Sequence, residues 1–216
     1  PFQPFLFYFL IVIVPLGVLA FTTGTYYGFL SELGRSAAIA GFMMLSLQPV
    51  LSGRFKGVTR PFGFDVVIRY HKNMALFSVF LIILHPVLLG AGDAGFDLIF
   101  SSGQAWYISA GKLTMLILLV SVSVSLFGLP DRIGFERWRV IHDVLFPLIL
   151  TGGFIHSWYS GTDLLIPWMR WLWIIAAGSS MAAFIYHRFL RPMLLSRKPY
   201  RVLSVNNTAP KVWDIR

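Results

Sequence analysis

Four of the five histidines in this 216-residue chain form two equal pairs. His71 and His85 are 14 positions apart, and so are His142 and His156. Neutral imidazole is a common metal ligand. The chain has no cysteine, so the other ligand types left are Asp, Glu and Met. Fourteen helical residues rise about 21 Å and turn about 1400°, roughly 40° short of four full turns. Both members of a pair therefore share one helix face at two levels. If two such helices run parallel, each level offers one imidazole from either side. That arrangement fills both axial positions of a flat, six-coordinate iron macrocycle. The expectation is two haems of b type, one held by His71 and His142, the other by His85 and His156. Iron with both axial positions filled carries electrons rather than binding substrate. Ionisable groups inside a membrane are costly and mark function. A proton channel or transporter using the same imidazoles remains open at this point, and it predicts a colourless protein.

The elements that hold these residues must cross lipid. Apolar residues make up 56% of the chain and charged residues 12%, about half the charge of an ordinary soluble domain. The 20 Phe, 7 Trp and 8 Tyr exclude a disordered chain. The absence of cysteine excludes disulfide scaffolds, thiolate catalysis and iron–sulfur clusters. Six apolar stretches approach the length of about 20 residues that a spanning helix needs: 5–21, 37–51, 70–89, 112–127, 140–158 and 168–186. The predicted fold is an all-α membrane protein, a six-helix bundle. The chain opens at Pro1 rather than Met and reads as part of something longer. No charged segment and cleavage site precede the first apolar run, so no signal peptide is expected.

Charge sets the direction. Fifteen of the 18 Lys and Arg residues fall in the loops before the third and fifth stretches and in the tail. Only Arg35, Lys112 and Arg170 lie on the other side. The positive-inside rule places both termini in the cytoplasm, with the third and fifth stretches running the same way. The net charge of +9 is thus explained by topology. The expected partner is the lipid bilayer, and no nucleic acid is expected.

Neighbouring residues fit a porphyrin site. Ala75, Ser78, Gly152 and Gly153 are small enough to let a macrocycle approach the backbone. Phe146 lies one turn after His142 and is expected between the two levels. Arg69, Lys72 and Arg139 flank the inner level and could hold haem propionates. Arg35, Trp106, Tyr107 and Lys112 are the outer candidates. His187 and the tryptophans 158, 168, 171 and 173 are read as interfacial anchors.

The motifs LGRSAAIAGF around Arg35, RYHKNMA around His71, LHPVL around His85, RWRVIHD around His142 and GGFIHSW around His156 carry a resemblance. Residues 5–205 resemble the ferric reductase-like transmembrane domain shared by NADPH oxidases and ferric-chelate reductases. The resemblance implies electron transfer from NAD(P)H through FAD and two haems to oxygen or a ferric chelate across a membrane, here a bacterial inner membrane. It implies an acceptor-site role for Arg35. Leu89 stands where the animal oxidases carry a further histidine. Residues 1–190 would form the haem domain. Residues 191–216, with strand-like 200–205 and 212–215 around a turn at 206–210, look like a linker and the opening of a C-terminal flavin-binding barrel. No G-x-G-x-x-G phosphate fingerprint occurs in the chain. The paired histidine spacing also occurs in quinol-oxidising cytochromes b, so a quinone-reactive di-haem subunit is the alternative.

Overall fold

The computed structural model describes residues 3–22, 27–53, 55–127, 132–197, 204–209 and 212–215. Ten α-helices are described: α1 (Gln3–Thr22), α2 (Phe29–Ser46), α3 (Gln48–Ser52), α4 (Lys56–Phe62), α5 (Phe64–Ala91), α6 (Asp97–Phe100), α7 (Trp106–Leu126), α8 (Phe135–Ser160), α9 (Pro167–Ile185) and α10 (Arg191–Ser196). A 3₁₀ turn (Thr162–Leu165) joins α8 to α9, and a π-helical turn (Tyr186–Leu190) joins α9 to α10. Among the described residues four helical segments are long and apolar enough to cross a membrane: α5, α7, α8, and α9 continued through α10. The first two expected stretches are also helical, as α1 and α2, but α2 begins eight residues before the predicted start at 37.

The histidine-bearing helices start earlier than their apolar runs. α5 begins directly after Gly63 (φ 80°), and α8 directly after Gly134 (φ 86°). Each glycine takes a left-handed conformation that other residues resist. Asp65 and Glu136 stand in the first turns, where a negative charge favours the helix dipole. Charged side chains in these opening turns hid them from a reading based on hydropathy. At 28 residues, α5 is about 42 Å long, against a hydrocarbon core of about 30 Å. There is room for Arg69 and Lys72, both exposed, to stand clear of the lipid tails.

The 14-residue spacing has a packing origin. α2 and the start of α3 lie antiparallel along α5, with Gly34 at His85, Gly41 at Ser78 and Gln48 at His71. Each step is seven residues, the repeat that keeps one face of a helix against its neighbour. Ser78 Oγ donates to Gly41 O at 2.8 Å, and a Cβ on Gly41 would come within 2.8 Å of Ile82 Cγ1. Ser78 therefore closes the α2–α5 seam, and does not face a porphyrin as expected. α7 and α8 form a second antiparallel pair. Trp138 Nε1 donates to Ser125 Oγ at 3.2 Å, and a Cβ on Gly152 would overlap Thr114 Oγ1. Gly152 thus serves helix–helix contact, whereas Gly153 lies against Phe42. α5 packs on α2 and α8 packs on α7, but α5 and α8 make few close backbone approaches to each other.

The π turn sends successive side chains to opposite sides of the fold. His187 packs on Gly53, where a Cβ would lie 2.6 Å from its Cδ2, and meets Phe55 edge-on at 4.1 Å. Arg188 Nε pairs with Asp143 Oδ2 at 2.8 Å, next to His142. The tail forms an antiparallel hairpin of β1 (Val205–Ala209) and β2 (Val212–Ile215), with Val205 opposite Ile215. β2 stands where expected. β1 covers the segment predicted as a turn, and most of the predicted strand at 200–205 lies outside the described residues.

Candidate functional site

The gap between the two helix pairs holds a cavity of about 650 Å³, lined mainly by apolar side chains such as Ile39, Phe42 and Leu118. His85 and His156 face each other across it, with ring centres 6.5 Å apart and planes at 68°. Each ring is fixed from behind. His85 Nδ1 lies 3.0 Å from Gly34 O, and His156 Nδ1 lies 2.9 Å from Tyr107 O. A carbonyl at Nδ1 selects the tautomer with its proton there and leaves Nε2 as the ligating nitrogen. An imidazole nitrogen sits about 2 Å from a first-row metal and the ring centre about 1.2 Å farther, so two coaxial imidazoles on one iron have centres about 6.4 Å apart. The observed spacing fits. The cavity size also falls in the range of about 300–1,000 Å³ typical of cofactor sites. Among the described residues no group of three or more His, Asp or Glu could hold a metal ion.

His71 lies within electrostatic reach of His142. They do not line the upper cavity. His71 faces the Gln48 carbonyl, but its buried Nδ1 falls short of a hydrogen bond among the described residues. The Trp138 ring lies 5.5 Å from that of His142.

Two acidic latches engage the start of α2 among the residues that line the cavity. Arg35 reaches Asp163 in the 3₁₀ turn, and its Nη2 donates to Thr162 Oγ1 at 2.9 Å. Its Nη1 meets Glu32 at 3.0 Å, and the guanidinium stacks 4.6 Å over Tyr27. Burial raises the Asp163 carboxyl pKa above the ordinary 3.8, outweighing the pull of Arg35 beside it. The second latch is Asp93. Ser31 Oγ donates to it at 2.8 Å and the Gly28 N–H at 3.0 Å, and these bonds hold its carboxyl below 3.8.

The remaining predicted residues are scattered. Tyr107 reaches the site through its carbonyl, while its ring joins Trp106 and Tyr159 in an aromatic cluster. Lys112 lines the cavity and donates to Ser101 O at 2.7 Å. Arg139 pairs with Glu136 at 2.6 Å. Phe146 packs on Phe184 at 5.2 Å and belongs to the apolar core, outside the cavity lining. Trp173, read as an interfacial anchor, is 2% exposed and stacks on Phe42 in the cavity wall.

Sequence reasoning missed Gly111, whose Cβ would overlap His156 Nδ1. It also missed both latches. One local signal was present: Gly-Phe-acid begins both histidine helices, with glycines 63 and 134 each eight residues before the first histidine.

Long apolar helices around a half-buried pair of facing imidazoles define an integral membrane protein. The family model described as ferric reductase like transmembrane component matches residues 37–153, just over half of the chain, and the chain belongs to that family. It is 31% identical over 104 residues to a protein-methionine-sulfoxide reductase heme-binding subunit from Deinococcus radiodurans, covering 45% of this chain and 48% of that one. It is 29% identical over 97 residues to the protein of the same name from Rhodospirillum rubrum, covering 42% and 45%. The matches span about half the length of these curated relatives.

Proposed function

We propose that the chain carries electrons across a bacterial inner membrane through two b-type haems. One would be held by His71 and His142 toward the cytoplasm, the other by His85 and His156 toward the outside. The facing of His85 and His156 across an apolar cavity, each with Nδ1 tied to a carbonyl, carries this reading. Bound haem would supply one-electron chemistry with no open coordination site. The protein's own part is positional. The α2–α5 and α7–α8 seams hold the imidazoles at fixed separation, and the apolar lining keeps water from the rings. Lys112, which donates to the neutral Ser101 carbonyl, places positive charge beside the cavity, where propionates or an anionic acceptor would gain from it, whereas Arg35 is already paired with Asp163 and Glu32.

The reading includes six spans with cytoplasmic termini, a flavin-binding domain following the β1–β2 hairpin, and NAD(P)H as the donor, with oxygen or a ferric chelate as acceptor. The names of the relatives favour a second reading, a haem-binding subunit that serves a separate reductase.

Purified protein produced with ample haem should contain two haems per chain and give the sharp reduced-minus-oxidised bands of six-coordinate low-spin iron. A colourless or wholly high-spin preparation overturns the proposal. Reduction by NADPH with a supplied flavoprotein separates the first reading from the second, which predicts reduction by a quinol instead.

A further inference from the structure

The two levels differ in what backs each imidazole. At the upper level Gly34 O and Tyr107 O lie 3.0 and 2.9 Å from His85 Nδ1 and His156 Nδ1. A carbonyl has two lone pairs, and in a helix one serves the N–H four residues on. The second is open at Gly34 and Tyr107 because the residues four positions on, Ala38 and Gly111, carry no hydroxyl.

At the lower level His71 faces Gln48, and the α7–α8 register carried by His156–Tyr107 and Trp138–Ser125 brings Ser121 to the level of His142. Here the residues four positions on are Ser52 and Ser125. Ser52 Oγ donates to Gln48 O at 3.2 Å, and Ser125 Oγ donates to Ser121 O at 2.8 Å. Such back-bonding by serine occupies the lone pair that an imidazole would use. His71 Nδ1 is correspondingly buried without a hydrogen bond among the described residues.

We propose that these serines set the reduction potentials of the two levels apart, with Ser52 as a positioning residue that withholds the Gln48 carbonyl from His71. The inference rests on the haem reading above. An imidazole that donates its Nδ1 proton to a carbonyl is a more basic ligand, favours the ferric state and lowers the potential. The contribution of these contacts therefore makes the His71–His142 level the more easily reduced of the two.

The test is a redox titration of the purified, haem-loaded full chain. The wave lost in His71→Leu identifies the lower level, and the wave lost in His85→Leu the upper. Ser52→Ala frees the Gln48 carbonyl and should move the lower wave negative. A shift of about threefold to tenfold in the reduction equilibrium is expected, tenfold being about 59 mV for one electron. The upper wave should stay in place. Ser52→Thr keeps a hydroxyl and should retain both wild-type potentials. The reciprocal Ala38→Ser places a hydroxyl on the Gly34 carbonyl and should move the upper wave positive. An unmoved lower wave in Ser52→Ala, or an equal shift in Ser52→Thr, overturns the proposal while leaving the haem reading intact. A preparation without a Soret band overturns both.

Discussion

His85 and His156 stand with ring centres 6.5 Å apart across an apolar cavity, on helices whose backbones make few close approaches to each other. The separation is maintained from outside, by α2 behind one ring and α7 behind the other. Replacing either histidine removes a ligand without removing its brace. His85→Leu and His156→Leu should each reduce haem content from two per chain to one, counted by pyridine haemochrome assay. The same holds for His71→Leu and His142→Leu at the other level. Retention of two low-spin haems in any of the four would contradict the pairing.

Gly111 makes the room that His156 occupies. Gly111→Ala should displace the imidazole and weaken upper-level haem binding, with an overpacking cost of about 1–3 kcal/mol in thermal stability. Gly178→Ala is the control, since nothing lies within 4 Å of a Cβ there. Its melting temperature should match or exceed wild type.

Arg35 ties Thr162 and Asp163 to α2 in the cavity lining. Arg35→Ala should destabilise the protein by about 1–3 kcal/mol, the cost of leaving a largely buried acceptor unpaired. The sign with pH follows from Asp163. Burial raises its folded pKa, so its contribution to stability is present below the unfolded value and is lost as pH rises through the folded one. Removing Arg35 enlarges that loss. Detergent-phase melts should show Arg35→Ala more damaging at pH 7 than at pH 4, with Asp163→Asn restoring most of the difference. Both low-spin haem spectra should persist, and acceptor turnover should fall if the guanidinium also attracts the acceptor.

Asp93 behaves oppositely. Its carboxyl is depressed by Ser31 and the Gly28 N–H, so its stabilising effect is present above the unfolded value and is lost as pH falls through the folded one. Wild type should lose thermal stability in acid below about pH 4, and Asp93→Asn should flatten that part of the profile. An identical acid limb in Asp93→Asn would separate the latch from the pH response.

The histidine pairs were legible in the sequence because 14 residues are two heptads, so the packing repeat and the ligand repeat coincide. Gly111 was not, because a glycine's neighbour depends on which helix folds beside it. The Arg35–Asp163 latch joins residues 128 positions apart, and no local pattern encodes that meeting. Phe146 sits one turn from His142, yet α9 presents Phe184 to it and draws it into the core. Trp173 looked like its interfacial neighbours because composition does not report which side of α9 faces Phe42.

The turn at Tyr186–Leu190 holds a surplus residue relative to an α-helix. That surplus advances everything downstream by about 100° of azimuth. Deleting one residue there would restore ordinary winding, carry Arg188 away from Asp143 and change the bearing on which α10 leaves the bundle. The direction of α10 is therefore set by a single increment of chain length near His142.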